Sequence, residues 1–307
     1  MESKLQKGVI VKIQRFSIQD GPGIRTTVFL KGCFLRCLWC SNPETQEPGI
    51  EVEYSKEKCI PQCYECVGQC DAKAISKDGE YIAIDRKKCS GCGRCVEVCY
   101  RKALTVVGEE MDVAEVLNEI EKDRPFYEKS GGGVTLSGGE PLYQHRFAVE
   151  LLRQCKERGI STALDTTGYV DWDILKNTLE YTDIVLYDIK HLDPEEHKKL
   201  TGVSNDVILE NARRISEKFF PILIFRIPVI PGINDNPKNL KELAQFVRSL
   251  SNLPAIHLLP YHRLGVFKYT RLGREYTLKN LQPPTRDYIR RVAELLETFG
   301  IRPLIVT

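Results

Sequence analysis

Cys33, Cys37 and Cys40 fall inside one short stretch, KGCFLRCLWC, at a C-x3-C-x2-C spacing. Thiolates this close together bind zinc or iron, but a structural zinc ion or a closed iron-sulfur cluster takes four protein ligands. Three thiolates can fix three irons of a cubane and leave one iron open, as catalytic metal centres keep an open position. Eight more cysteines follow in two runs: Cys59, Cys63, Cys66 and Cys70 as C-x3-C-x2-C-x3-C, then Cys89, Cys92, Cys95 and Cys99 as C-x2-C-x2-C-x3-C. The runs form an internal repeat, each half followed by an apolar stretch, AKAIS or RKALTVV. Paired zinc sites are the competing reading. They more often show separated C-x2-C pairs or histidines, and no histidine falls between 59 and 99. The twelfth cysteine, Cys155, is spaced by four from Leu151 and Phe147 on a helix expected over 147–158, so it belongs to the core.

Outside the repeat the chain alternates between apolar runs and helix-like segments. The runs are TTVFLK at 26, VTLSG at 134, STALDT at 161, DIVLYDIK at 183, PILIFRIPVI at 221, AIHLLPY at 255 and RPLIVT at 302. Helices are expected over 112–122, with Asp112 at its start, and over 236–250. This is an α/β chain, a partial (β/α)6 TIM-like barrel built from 1–50 and 106–307 with an insert over 51–105. In such folds chemistry gathers at the C-terminal ends of the strands. The triplet follows the first strand, and SGGEP, LDTTG and LYDIK close three others.

The 307 residues carry Lys+Arg 44 against Asp+Glu 42 and are 42% hydrophobic, enough for a large core and too neutral for a nucleic-acid footprint. No apolar run reaches the roughly 20 residues of a membrane span, and the start lacks a signal-peptide pattern. A cytoplasmic location is expected, where clustered cysteines bind metals rather than form disulfides.

The repeat resembles the two-cluster bacterial ferredoxins, in which each cluster takes three cysteines from one run and the last from the other. That resemblance implies Cys59, Cys63, Cys66 and Cys99 at one 4Fe-4S cluster and Cys89, Cys92, Cys95 and Cys70 at the other. Asp71 and Tyr100 stand where ferredoxins usually have proline. The triplet, with Trp39 just before its last cysteine, resembles the signature of the radical S-adenosylmethionine enzymes. IQDGPGIRTTVFLKGC, residues 18 to 33, narrows the resemblance to the glycyl-radical enzyme activating enzymes.

The resemblance covers essentially the whole chain from Gln14 onward. It implies an oxidoreductase that cleaves S-adenosylmethionine reductively at the Cys33/Cys37/Cys40 cluster. The resulting 5′-deoxyadenosyl radical takes hydrogen from a glycine Cα of a partner protein. Three 4Fe-4S clusters, a monovalent cation and a flavodoxin- or ferredoxin-type donor belong to that picture; nucleic acid and membrane do not. The resemblance places Trp39, Gly138, Gly139, Glu140, Asp165, Thr166, Asp188, Lys190, Arg226 and His262 around S-adenosylmethionine, with Glu140 receiving the methionyl amine. It places Asp20, Gly21, Pro22 and Gly23 where the partner's glycine loop enters. His145, His191, His197 and His257 carry no such context. The eight-cysteine insert makes the chain similar to activating enzymes of dehydratases, decarboxylases and lyases rather than that of pyruvate formate-lyase itself. A radical S-adenosylmethionine enzyme acting on a small molecule, and a non-enzymatic electron-transfer or zinc protein, are the rival readings.

Overall fold

A computed structural model describes residues 6–218 and 221–306. In chain order the strands are β1 (Lys7–Ser17), β2 (Arg25–Leu30), β3 (Glu51–Tyr54), β4 (Ile75–Asp78), β5 (Tyr81–Ile84), β6 (Leu104–Val107), β7 (Glu109–Asp112), β8 (Gly133–Gly138), β9 (Ser161–Thr166), β10 (Ile184–Asp188), β11 (Ile222–Val229), β12 (Ala255–Pro260) and β13 (Leu304–Ile305).

Nine of them form one sheet in the order β13-β12-β11-β10-β9-β8-β2-β1-β7. From β2 to β13 every neighbouring pair is parallel. Strands that follow one another in space as in sequence, with helices between, are the βα succession of a barrel. The edges β7 and β13 do not pair, so the sheet stays open, as in a partial barrel. On the β7 side the sheet is extended by β1, antiparallel to β2 and to β7.

Side-chain alternation gives this sheet two faces. Val134, Leu136, Leu164, Val185, Tyr187 and Phe225 pack into the main core beneath the helices. The opposite face holds a smaller buried group, Ala163, Ile184, Leu186 and Ile224. Among the helices, His145–Glu157 buries Phe147, Ala148, Leu151, Leu152 and Cys155, the stripe expected of an amphipathic helix. Each large apolar side chain removed from water contributes about 1.5–3 kcal/mol. Cys155 is wholly buried there, as its spacing predicts. Val113–Glu121 starts with a complete capping box between Asp112 and Glu115, and Pro237–Arg248 is capped by Asn236, whose side chain accepts from Asn239 N at 3.0 Å.

Between β2 and β7 the chain leaves the sheet and returns along an antiparallel neck, β3 against β6, with Glu51 facing Val107 and Tyr54 facing Leu104. Beyond it lie the β4–β5 hairpin and two short helices, Glu65–Gly68 and Arg94–Glu97. Their core is small: Val52, Cys66, Ile75, Ile82, Cys95 and Leu104. Lys73 and Lys102, at the same place in the two halves of the cysteine repeat, both have positive φ, 48° and 52°. Each donates its N–H to the carbonyl of the last cysteine of its run, Cys70 or Cys99, at 2.9 and 2.8 Å. Among the described residues no helix is long and apolar enough to cross a membrane.

Candidate active site

The triplet loop leaves β2 through Lys31 and Gly32. Lys31 is completely buried, its ammonium bonded to Glu44 O at 2.8 Å and to the Glu51 carboxylate at 2.9 Å. Arg274 reaches the other oxygen of Glu51 at 2.6 Å, so a buried charge is paired at the base of the loop. The loop's own backbone is then satisfied from three sides. Cys33 N donates to Gln46 O at 3.0 Å, Leu38 N to Leu200 O at 3.0 Å, and Cys40 O accepts from the Tyr269 hydroxyl at 3.0 Å. Trp39 lies in an apolar cluster with Ile230, Tyr261, Tyr269 and Tyr276, which anchors the loop on the segments after β11 and β12.

Burial pushes the thiols of Cys33 and Cys37 up to about 12 and that of Cys40 to about 11, and each interacts electrostatically with another of the three. Among the described residues no three His, Cys, Asp or Glu side chains converge on a point where a single metal ion could sit.

Polar residues gather beside the triplet on the same sheet face as Ala163, Leu186 and Ile224. Ser137 Oγ donates to Asp165 Oδ2 at 2.7 Å, and Arg226 Nη1 lies 3.2 Å from the same oxygen. Asp188 stands opposite Arg226 in the β10–β11 register and accepts from Lys190 Nζ at 2.8 Å. Burial pushes the Asp165 carboxyl up to about 6 against the opposing pull of Arg226. Lys190 is raised: burial opposes its charge, but Asp188 and the Cys37 thiol more than offset it. Nε and Nη1 of Arg226 are buried without a hydrogen-bond acceptor of adequate geometry. Orphaned guanidinium donors next to carboxylates and an ammonium fit a zwitterionic ligand, and three half-buried thiols beside Lys190 fit an anionic iron-sulfur cluster.

Other expected site residues are turned differently. Glu140 is fully buried, and its two oxygens accept four hydrogen bonds: from Thr166 Oγ1 (2.8 Å), Leu142 N (3.2 Å), Thr167 N (2.8 Å) and Thr167 Oγ1 (2.7 Å). That saturates a carboxylate, so its side chain locks the end of β8 to the end of β9. Gly138 and Gly139 are required by packing: a Cβ at Gly138 would collide with Leu30 backbone and one at Gly139 with the carbonyls of Gly32 and Thr45. Together they seat the strand end against the triplet loop. His262 is exposed after β12, with Lys268 as its charged neighbour.

The loop from Asp20 to Gly23 sits at the opposite end of the parallel strands from the triplet. Gly23, with φ +74°, packs on Gly132 just before β8, and Pro22 O accepts from Arg25 at 3.3 Å. Asp20 accepts from Thr27 Oγ1 at 2.8 Å, and its carboxylate acts across the sheet face on Asp165 and Arg226. Sequence reasoning missed Lys31, Glu51, Arg274 and Tyr269, which hold the triplet from far along the chain. The doubled threonine of LDTTG was the one visible hint of the Glu140 lock.

The insert's cysteines are also brought together across the two runs. Cys59, Cys63, Cys66 and Cys99 line one cavity with Tyr54, Ile82 and Leu104. Cys95 interacts with Cys89, Cys92 and Cys70. Arg94 pairs with Asp71, one of the two residues standing in place of the ferredoxin prolines.

Residues 88–246 match the model of the radical SAM superfamily and residues 19–76 that of a 4Fe-4S single cluster domain. The isethionate sulfite-lyase activating enzyme of Oleidesulfovibrio alaskensis is 48% identical over 279 residues, 89% of this chain and 90% of that protein. The (2S)-3-sulfopropanediol dehydratase activating enzyme of Klebsiella oxytoca is 44% identical over 301 residues, 96% and 95% of the two chains. A radical SAM methyltransferase from Sphaerobacter thermophilus shares the fold, with a TM-score of 0.50 at 17% identity over 64% of this chain and 56% of that one. Likeness at this level along nearly the full length, on a sheet that sets three thiols beside a cluster of charged strand ends, assigns the chain to the glycyl-radical enzyme activating enzymes of the radical S-adenosylmethionine superfamily.

Proposed function

We propose that the chain carries three 4Fe-4S clusters and activates a glycyl-radical lyase, dehydratase or decarboxylase rather than pyruvate formate-lyase. The observation that carries this is the convergence of Cys37, in the loop after β2, with Asp165 of β9, Asp188 of β10, Lys190 just after it, and Arg226 of β11. Cys33, Cys37 and Cys40 would hold a 4Fe-4S cluster, which when bound would supply the electron for reductive cleavage of S-adenosylmethionine and so the radical that takes hydrogen from the partner's glycine Cα.

The chain's own residues bind and orient. Lys190 and the orphaned donors of Arg226 suit the methionyl carboxylate and ribose hydroxyls, whereas Asp165 and Asp188 suit the ammonium group or a monovalent cation beside it. Glu140, Thr166, Gly138 and Gly139 act as positioning residues, leaving the backbone near Ser137 to meet the ligand. Trp39 sets the depth of the triplet, and His262 reaches the nucleoside from the rim. The Asp20-Gly21-Pro22-Gly23 turn, whose Asp20 acts across the sheet face on Asp165 and Arg226, borders the surface where the partner's glycine loop enters. Hydrogen abstraction by a carbon radical requires no acid or base, so holding the reactants close and dry is the protein's contribution.

The insert, 51–105, is a ferredoxin-like domain with crossed ligand sets, Cys59, Cys63, Cys66, Cys99 and Cys89, Cys92, Cys95, Cys70. The cavity lined by four cysteines from both runs supports that crossing. A flavodoxin- or ferredoxin-type donor reduces the protein in the cytoplasm, with no role for nucleic acid or a membrane. Relatives named for isethionate sulfite-lyase, sulfopropanediol dehydratase and indoleacetate decarboxylase support a partner of that class.

Electron paramagnetic resonance of the anaerobically reduced, reconstituted protein tests the reading, with iron and sulfide counted on the same sample. About twelve irons and a spectrum that changes on adding S-adenosylmethionine are expected. A spectrum indifferent to S-adenosylmethionine, or zinc in place of iron, would overturn it.

A further inference from the structure

The neck has two ends, and the two insert sites lie at different ones. Its barrel end is the pair Glu51 and Val107, with Glu51 held by Lys31 and Arg274 of the barrel. Its far end is Tyr54 and Leu104, followed by Ser55 N donating to Ala103 O at 2.8 Å. Tyr54, Ala103 and Leu104 line the cavity of Cys59, Cys63, Cys66 and Cys99, which fixes that site at the far end. The Cys89–Cys92–Cys95 run sits at the barrel end. Gly91 is pressed on Ile50 so closely that a Cβ there would collide with the Ile50 carbonyl, and Gly93 packs on Val106. Four facing residue pairs separate the ends by about 10 Å.

Arg86 is built into this seam. Its guanidinium donates to Val52 O of the neck and, at 2.9 Å, to Arg271 O of the barrel helix Val266–Arg271, and its charge acts on Cys89. Two residues before Arg271, Tyr269 donates to Cys40 O. A continuous mount therefore runs from Cys89 through Arg86 and one helix to the triplet loop.

Resting on the three-cluster reading above, we infer that the Cys89/Cys92/Cys95/Cys70 site is the insert site nearer the triplet, and that Arg86 is the positioning residue fixing its distance and orientation to the triplet. The Cys59/Cys63/Cys66/Cys99 site is the remote one, joined to the nearer site where Cys66 and Cys95 adjoin in the insert core. Arg86, a cation beside Cys89, also stabilises the reduced, more negative form of the nearer cluster.

Spin relaxation of the triplet cluster in the fully reduced holoenzyme orders the sites, because dipolar coupling between reduced clusters falls with the cube of their distance. Two double variants each empty one site: Cys89→Ala with Cys92→Ala, and Cys59→Ala with Cys63→Ala, each verified by the loss of about four irons. The first is expected to abolish most of the relaxation enhancement of the triplet signal, and the second to leave it nearly intact. Arg86→Gln keeps every ligand and serves if a double variant fails to fold. It is expected to hold its full iron content, weaken the enhancement and lower the midpoint potential of the nearer cluster alone. The inference is overturned if emptying the Cys59 site removes the enhancement, or if Arg86→Gln changes neither relaxation nor potential. A wild-type protein with about four irons instead overturns the three-cluster reading itself and the order with it, an outcome distinct from either.

Discussion

The barrel and the insert hold cysteines in opposite ways. Around the triplet, the apolar cluster of Trp39, Ile230, Tyr261, Tyr269 and Tyr276, a buried Lys31 paired to Glu51 and through it to Arg274, and a tyrosine hydroxyl all fix the loop with groups that are not its cysteines. In the insert, two of the six buried core residues are themselves cysteines, Cys66 and Cys95, and most of the rest of the unit is hairpin and turn. A core this small does not offset the entropy of ordering some fifty residues, so metal bound by its cysteines would contribute folding energy. The contrast extends to the thiols. Burial pushes all three triplet thiols up, and Cys66 and Cys95 of the insert with them, whereas Cys92 is exposed and is lowered by hydrogen bonds from Arg94, which makes it the more oxidisable.

The largest effect should come from removing iron. Chelation under anaerobic conditions is expected to cut amide-exchange protection across 55–103 by about a thousandfold while β8 to β11 keep theirs. Equal loss in both regions, read by hydrogen exchange and mass spectrometry, would erase the contrast. Next comes Glu140→Gln, which sets amide N–H groups against donors that the carboxylate now accepts from. It is expected to cost about 2–4 kcal/mol in denaturant unfolding and to raise the KM for S-adenosylmethionine while iron content holds. An unchanged stability would mean that the strand ends do not depend on the lock.

A smaller effect tests the rim of the triplet. His197 is buried, with Nδ1 2.7 Å from Val203 O, in the helix Pro194–Thr201 whose last residues accept from Arg36 and Leu38 of the triplet loop. Burial lowers it to about 4. A histidine depressed on folding gives stability that is complete above its unfolded pKa near 6.5 and is lost as pH falls toward 4, by roughly 1–3 kcal/mol. His197→Asn should flatten that acid limb of the stability profile, and the same slope in wild type and variant would sink the assignment.

The parallel strands were legible because each is a short apolar run, two of them closed by the polar ends Thr166 and Asp188, and Asp112 and Asn236 announced their helices by capping chemistry. β1 was not: its bulges between Ile10 and Lys12 and between Gln14 and Ser17 break the alternation that marks a strand. Chemistry-bearing residue types were visible, but their orientation was not. Glu140 and Asp165 look alike in sequence, yet one is saturated by two threonines and a turn and the other meets Ser137 and a half-satisfied arginine on a single oxygen. Nor can spacing reveal that Arg25, deep in the DGPGIR stretch, would be fully buried and bonded to Thr135 Oγ1, Val134 O and Ser161 O.

The neck has an evolutionary consequence. Facing residues in an antiparallel pair lie about 5 Å apart, so the chain departs and returns at nearly the same point. Joining Tyr54 to Leu104 through a turn of about two residues would leave Glu51, Lys31 and Arg274 undisturbed. The insert is thus a cassette, acquired or discarded whole without re-registering a single barrel strand.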